Sequence, residues 1–273
     1  MPTAAALVRA AHPEPTVAVT ALATAVAASS GRGPVGTLLV AVTVLTGQLS
    51  IGWCNDVVDV RRDQAAGRAD KPVATGAVRR RTVAIACLLA LGACVPLSFA
   101  NGAAAGVAHL LVVAGGWAYN LGLKRTPLSV VPYAVSFAAL PVFVALGLPG
   151  APSPRPWVVV AGGLLGVGAH FLNVVPDVEA DRAAGVLGLP QRAGAVWSGR
   201  IGALLLATAA AVVTFGPGGR VPRWSLAGLA LAVVLALLAG LPARAGSRRP
   251  FLLALGSAAV AVVLLVGRGS AIT

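Results

Sequence analysis

Seven of the eight acidic residues in this 273-residue chain lie in two short stretches. The first stretch contains Asp56, Asp59, Asp63 and Asp70, and the second contains Asp177, Glu179 and Asp181. The stretches are also copies of each other, because residues 55–67 align without a gap on residues 173–185 and 8 of the 13 positions are identical. Such self-similarity predicts an internal duplication of a multi-helix unit.

The spacing within each copy is that of one face of an α-helix. The side-chain oxygens that recur every four residues belong to Asn55, Asp59 and Asp63 in the first copy and to Asn173, Asp177 and Asp181 in the second. Residues four apart share a helix face, and Asp56 adds a further oxygen to the first face. Carboxylate and amide oxygens are hard ligands, and Mg²⁺ is held by one or two carboxylates together with substrate phosphates. The pattern therefore predicts two facing clusters that hold Mg²⁺ around a diphosphate.

A second interpretation is that these acids are solvated charges or helix caps, which are common at helix ends. Like charges on one face destabilise a helix, and the cost grows near hydrocarbon. Solvated faces have no reason to repeat their spacing, so the two matching copies favour the metal site. Asp70 and Glu179 lie off the shared faces, and we assign them to solvent or to local pairing.

The elements that position these acids are membrane helices. The chain is 58% hydrophobic and only 11% charged, with a mean hydropathy of +0.87, which is more apolar side chain than a soluble domain buries. Apolar runs of a length that spans a bilayer predict an all-α, polytopic fold. We predict nine spans, or eight because several are short, at approximately 15–30, 36–55, 82–100, 102–120, 128–148, 157–175, 199–216, 224–241 and 250–267. The acidic copies follow the second and sixth spans.

Basic residues give the orientation. The net charge is +13, and with a cytoplasmic N-terminus the outer segments keep only Arg32, Arg155, Arg220, Arg223 and Arg268, so 16 of the 21 basic residues lie inside. This bias is the positive-inside rule. It predicts a multi-pass cell-membrane protein whose N-terminus and acidic stretches face the cytoplasm, and it explains the basicity without a nucleic-acid partner.

Two groups of side chains leave alternatives open. His170 lies three residues before Asn173, so it is either a proton acceptor in the same cavity or a histidine held in a helix interface. Tyr119 and Tyr133 lie near span ends, where aromatic residues are typical of the membrane interface. Tyr119 could instead stabilise a carbocation through its ring.

The motifs resemble those of the UbiA superfamily of intramembrane prenyltransferases. Asn55-Asp56-x-x-Asp59-x-x-x-Asp63 is similar to the NDxxDxxxD motif of that family, and Asp177-x-x-x-Asp181 is similar to its second motif. Weaker similarity lies in Asp70-Lys71-Pro72-x-x-x-Gly76 and in the segment from Tyr119 to Lys124-Arg125. The resemblance covers essentially the whole chain.

The resemblance implies a single domain over residues 1–273, with repeat halves at approximately 15–127 and 128–250 plus a final helix, surrounding a central cavity. It implies an Mg²⁺-dependent transferase of prenyl groups, acting between an isoprenyl diphosphate and a lipophilic, aromatic or quinone-precursor acceptor in the bilayer. The implied metal ligands are Asn55, Asp56, Asp59, Asp63, Asn173, Asp177 and Asp181, whose carboxylates are the catalytic groups. The implied diphosphate-site residues are Arg68, Lys71, Tyr119, Lys124 and Arg125.

Two residues depart from the family pattern. Val174 stands where the longer form of the second motif has another Asp, and Pro176 removes a backbone donor and is expected to kink the helix. Terpene cyclisation on the same scaffold, or a non-catalytic lipid binder or transporter, therefore stay as alternatives. The sequence leaves the acceptor, the prenyl length and the oligomeric state open.

Overall fold

The protein is helical throughout the part of the chain that the computed structural model describes, residues 3–267 and 272–273. Arg268, one of the predicted outer basic residues, lies outside the described residues. The long helices are α2 (Pro13–Ser29), α3 (Gly33–Ala65), α4 (Arg80–Ala100), α5 (Ala103–Leu121), α6 (Val130–Leu146), α7 (Pro156–Val174), α10 (Ala195–Phe215), α11 (Arg223–Ala239) and α12 (Arg249–Val266). The short helices are α1 (Thr3–Ala10), α8 (Val178–Ala183) and α9 (Leu189–Ala193). Single 3₁₀ turns lie at Leu123–Arg125, Pro127–Ser129 and Val175–Asp177.

Seven helical segments of the described residues are long and apolar enough to cross a membrane. They correspond to α3, α4, α5, α6, α7 with α8, α10 and α12. The helix α11 is apolar but has only 17 residues, and α2 has the same length. A multi-pass membrane fold is therefore confirmed, whereas the predicted count of nine spans is not.

Long helices that follow each other along the chain pack as neighbours without a break, from α2 through α7 and on through α10, α11 and α12. The last helix, α12, contacts α2 as well as α7 and α10. The bundle is therefore closed between its first and last long helices.

The largest apolar cluster lies at the end of the bundle away from the acidic stretches. The largest core cluster joins the C-terminal ends of α2, α6, α10 and α12 to the N-terminal ends of α3, α5 and α7. Both acidic stretches lie at the other end, where α3 finishes and α7 is followed by α8. The acidic end is formed by helix termini and by the loops that follow them.

The two copies end their helices in the same way. The amide of Arg68 donates to the Asp63 carbonyl at 3.0 Å, and 118 residues later the amide of Val186 donates to the Asp181 carbonyl at 2.8 Å. The glycines at the turns, Gly67 and Gly185, have φ of 63° and 73°, which residues with a Cβ rarely adopt. This is the Schellman arrangement of a helix C-terminus, and it explains why both copies end in Ala-Ala-Gly.

Candidate functional site

The first acidic face is buried although it is rich in charge. Asp56, Asp59 and Asp63 lie on the last turns of α3 and are 1%, 1% and 2% exposed. A carboxylate buried to this degree must be paired or hydrogen-bonded. These carboxylates therefore require nearby cations that compensate the cost of burying their charge.

Two cations hold Asp59. Lys124 Nζ donates to both Asp59 carboxylate oxygens at 2.6 Å, and Arg62 Nη2 donates to Oδ2 at 2.8 Å. Arg62 also reaches Asp63 at 3.3 Å. Lys124 comes from the 3₁₀ turn after α5 and is itself 4% exposed. Burial lowers the pKa of Lys124, and the adjacent Asp59 opposes that shift.

Asp56 is held on one side only. Lys71, in the loop after α3, donates to Asp56 Oδ1 at 2.7 Å and to Asn55 Oδ1 at 3.2 Å. The other oxygen, Asp56 Oδ2, is buried without a hydrogen-bond partner in the described structure. The Asn55 amide also donates to Asp59 at 3.2 Å and to Asn120 at 3.1 Å. One strongly polar atom of this face is thus left free to bind a ligand.

The second acidic face is built differently. Pro176 lies in the 3₁₀ turn Val175–Asp177, which separates α7 from α8, so the expected distortion is present and Asn173, Asp177 and Asp181 do not share one continuous α-helix. Asp181 accepts a hydrogen bond from Gln191 Nε2 at 2.8 Å. Asn173, the counterpart of Asn55, is exposed and has no side-chain hydrogen bond within the described residues. The prediction that each trio lines two regular helical turns is therefore wrong for the second copy.

The two faces border one region. Arg68 lies within electrostatic range of Asp63 on the first face and of Asp177 on the second. Asp181, on the second face, is likewise within range of Arg62 and Arg68. Because exposed charges farther apart than about 10 Å are largely screened, these mutual influences indicate that the two copies lie near each other.

The predicted diphosphate contacts fall into two groups. Lys71 and Lys124 are occupied by carboxylates of the first face. Arg125 is exposed and makes no ion pair within the described part of the chain, while Arg68 pairs with Asp70 at 2.9 Å. This pairing raises the pKa of Arg68 and lowers the pKa of Asp70 to about 2.

The two acids set aside from the shared faces behave as expected. Asp70 is exposed and pairs locally with Arg68, and Glu179 is exposed and lies 3.6 Å from Arg182. Neither contributes an oxygen to the buried faces.

An aromatic cluster lies beside the acidic region. Tyr133 stacks on His170 with ring centroids 4.3 Å apart, and Tyr119 meets both rings edge-on at 5.1 and 5.4 Å. Tyr119 is within electrostatic range of Asp59 and Asp181. His170 is 0% exposed, contacts Ser129 Oγ through Nε2 at 3.2 Å, and has an unpartnered Nδ1. Tyr119 and Tyr133 therefore pack inside the bundle next to the acids, rather than as a simple interfacial belt.

Sequence reasoning missed four polar residues that hold the site. Arg62 is one of the 16 inner basic residues that topology alone explains in the sequence, although its position beside Asp63 is a usable signal. The sequence gives no signal for Gln191, Asn120 and His12, because each of them reaches the site only through tertiary contacts. Periodicity identifies the face of a helix but not the loop that folds against it.

The oxygen ligands do not form a complete protein cage for a metal. Within residues 3–267 and 272–273, no three His, Cys, Asp or Glu side chains are close enough together to hold an ion. Mg²⁺ rarely requires such a cage, because it keeps waters and binds substrate phosphates through one or two carboxylates. Paired oxygen ligands with one free buried carboxylate oxygen are compatible with that mode of binding.

Comparison with protein families identifies one match, in which the model of the UbiA prenyltransferase family covers residues 17–250. No curated protein matches the chain. Several solved structures share the fold.

The apo structure of a UbiA homolog from Aeropyrum pernix K1 matches with a TM-score of 0.74 at 20% identity, covering 93% of this chain and 98% of that one. A UbiA homolog from Archaeoglobus fulgidus bound to GPP and Mg²⁺ matches with a TM-score of 0.72 at 16% identity, covering 95% and 96%. A structure described as concerning digeranylgeranylglyceryl phosphate synthase in membranes matches with a TM-score of 0.69 at 15% identity, covering 99% of both chains. The likeness therefore extends over the whole fold.

Proposed function

Because this chain belongs to the UbiA prenyltransferase family, we propose that it is an Mg²⁺-dependent intramembrane enzyme that transfers a prenyl group from an isoprenyl diphosphate to a lipophilic acceptor. The acceptor class is an aromatic compound or quinone precursor. The observation that carries this proposal is the proximity of the two acidic faces, which both lie within electrostatic range of Arg68, together with the burial of the α3 carboxylates. A diphosphate with its counter-ions needs anionic and cationic protein groups together, and both are present there.

The metal ligands in this proposal are oxygen atoms, as Mg²⁺ prefers. The strongest single indication is Asp56 Oδ2, a buried carboxylate oxygen without a hydrogen-bond partner, since burying an unsatisfied polar atom is costly unless a ligand satisfies it. The proposed set is Asn55, Asp56, Asp59, Asp63, Asp177 and Asp181. Asn173, which is exposed, stays a prediction from the sequence alone. When bound, Mg²⁺ supplies Lewis-acid stabilisation of the departing diphosphate.

The protein's own cations complete the anion site. In this proposal Arg68 and Arg125 donate charge-assisted hydrogen bonds to phosphate oxygens, which are strong interactions. Lys124 is buried against Asp59, so its ammonium is already desolvated. Donors held in a dry site stabilise developing charge far better than donors in water.

The aromatic cluster is the proposed wall of the prenyl pocket. Ionisation of an allylic diphosphate leaves a carbocation that water would quench, so water must be excluded. Tyr119 and Tyr133 contact each other edge-on, and the His170 ring packs against both of them. Aromatic rings attract a cation without adding a nucleophile.

We also propose that the acidic end of the bundle faces the cytoplasm. The loop basic residues Arg68, Lys71, Lys124 and Arg125 lie at the same end as the acids. Clustered basic residues at one end of a set of spans mark the inner side of a membrane.

The test uses purified protein in detergent with Mg²⁺ and a panel of isoprenyl diphosphates that includes GPP. Binding and products are measured for the wild type and for Asp59→Asn and Asp177→Asn. The matched control is Glu179→Gln, an acidic residue of the second copy that faces solvent. We expect both Asp variants to lose binding or turnover, and the control to retain it.

Product analysis distinguishes the alternatives. A prenylated acceptor supports the proposal, whereas a cyclised hydrocarbon formed without an acceptor identifies a terpene cyclase. Binding without any product indicates a non-catalytic lipid binder. Such a binder is one alternative because Val174, where the longer motif has an acid, is 5% exposed and apolar and supplies no metal ligand. Unchanged binding and turnover in both Asp variants would refute the site.

A further inference from the structure

A histidine near the N-terminus reaches the first acidic face from outside the region that the family model matches. His12 lies between α1 and α2, five residues before residue 17, where the match begins. Its Nε2 lies 3.0 Å from Asp56 Oδ1 and 2.9 Å from Lys71 Nζ. The family comparison therefore assigns this residue no role, although it touches the centre of the proposed site.

With His12, the Lys71 ammonium group has a hydrogen-bonding neighbour for each of its three hydrogens. Lys71 Nζ has three polar neighbours, namely Asp56 Oδ1 at 2.7 Å, His12 Nε2 at 2.9 Å and Asn55 Oδ1 at 3.2 Å. An ammonium group has three hydrogens to donate. His12 Nε2 either accepts one of them or donates its own hydrogen to Asp56, and both arrangements hold the Oδ1 side of that carboxylate.

The backbone of His12 adopts a left-handed conformation, which directs its ring toward Asp56 and Lys71. Its φ of 53° and ψ of 69° are left-handed, a conformation that costs a non-glycine residue of the order of 1 kcal/mol and persists only where the surroundings enforce it. The neighbouring Ala11 carbonyl accepts a hydrogen bond from Thr16 Oγ1 at 2.8 Å. Ala11 also lies directly against Gly52 of α3, where a Cβ would collide with its carbonyl oxygen.

The helix α1 is anchored to the same surface. Trp53 Nε1 donates to the Leu7 carbonyl at 2.9 Å, and Ala6 and Ala10 are fully buried against the start of α4 and the loop that carries Lys71. The position of His12 is thus fixed by packing on both of its sides.

We propose that His12 is a positioning residue of the metal site, acting through Asp56 and Lys71. By holding Oδ1 it keeps the buried, unpartnered Oδ2 turned toward the ion and diphosphate. Outer residues that orient a ligand in this way typically contribute 10- to 100-fold to metal affinity. This inference rests on the proposed function, because it assumes that the acidic faces bind a divalent ion.

The experiment titrates Mn²⁺, a spectroscopic substitute for Mg²⁺, into protein that carries an unreactive thio analogue of GPP, and follows free Mn²⁺ by electron paramagnetic resonance. His12→Asn keeps a residue that tolerates the left-handed backbone but is too short to reach Lys71. We expect it to weaken Mn²⁺ binding about 10-fold or more. His12→Gln places an amide near the position of Nε2 and should restore most of the affinity.

Controls separate positioning from folding. Glu14→Gln changes a charge two residues away whose partner is Arg248, outside the site, and should bind Mn²⁺ as the wild type does. Thermal unfolding and hydrogen exchange of residues 3–12, recorded without metal, report any loss of α1 packing. A purely structural role predicts faster exchange in His12→Asn with normal Mn²⁺ affinity in the folded fraction, and that outcome overturns the proposal.

The same data distinguish the two levels of inference. If the wild type binds neither Mn²⁺ nor the analogue, the proposed function fails. If the wild type binds, Asp59→Asn does not, and His12→Asn binds as tightly as the wild type, the proposed function stands and only the role of His12 is rejected.

Discussion

Replacing both members of the buried Lys124–Asp59 pair should destabilise the fold by less than the sum of the two single replacements. At 2.6 Å, the attraction between the charges is about 6 kcal/mol for an effective dielectric constant of about 20. Desolvation offsets much of this, so breaking such a pair costs about 3–5 kcal/mol, mostly because a charge is left buried alone. The structure distinguishes the two single variants.

Lys124→Met leaves Asp59 with Arg62 at 2.8 Å, so its cost should fall near the lower value, about 3 kcal/mol. Asp59→Asn leaves the Lys124 ammonium without an anion among the described residues, so its cost should approach about 5 kcal/mol. The double variant buries two neutral groups. It should cost no more than the worse single variant, giving a coupling energy of at least about 3 kcal/mol.

The assay is equilibrium unfolding in mixed detergent, followed by far-ultraviolet circular dichroism, with EDTA present so that no metal contributes. The matched control is a cycle on the exposed pair Glu179–Arg182, 3.6 Å apart, which should give a coupling of about 0–1 kcal/mol. Additivity of the Lys124 and Asp59 replacements within about 0.5 kcal/mol would refute the reasoning.

Three further outcomes are expected. Gly52→Ala should displace Ala11 and weaken Mn²⁺ binding as His12→Asn does, whereas Gly92→Ala, with open space around its Cβ, should have no effect on the same titration. Arg68→Gln should return the pKa of its partner carboxyl from about 2 toward its ordinary value near 3.8. Because a depressed carboxyl pKa stabilises the fold above the unfolded pKa, the wild type should lose this contribution between pH 3.8 and about 2, and the variant should lack this part of the acid-unfolding profile. Removing divalent ions with EDTA should abolish binding of the thio analogue of GPP in equilibrium dialysis, and Mg²⁺ should restore it.

Much of the architecture followed from composition and periodicity alone. Apolar runs predicted a helical membrane bundle, and the repeated acids predicted that two helix ends meet. The assignment of Asp70 and Glu179 to solvent or to local pairing also followed, because both lie off the repeated face. These features depend on local spacing, which a sequence displays directly.

Other features depended on tertiary contact and were not predictable. The approach of His12 and Gln191 to the acids is set by how α1 and α9 fold back over the helix ends. Pro176 signalled a distortion, but the 3₁₀ turn and the exposure of Asn173 required the structure. The count of spans also depends on α2 and α11, whose 17 residues are near the minimum that crosses a bilayer.

The duplicated faces differ in how their negative charge is balanced. On the first face, Lys71, Lys124 and Arg62 form ion pairs with the carboxylates, whereas Asp181 on the second face is held by the neutral amide of Gln191. Lys124 therefore occupies both Asp59 oxygens, which a divalent ion bound as proposed would need. In the proposed function, loading the first face releases Lys124 at the moment when a phosphate-bearing substrate needs cations, whereas Lys71 stays on Asp56 and the second face accepts an ion without releasing a cation.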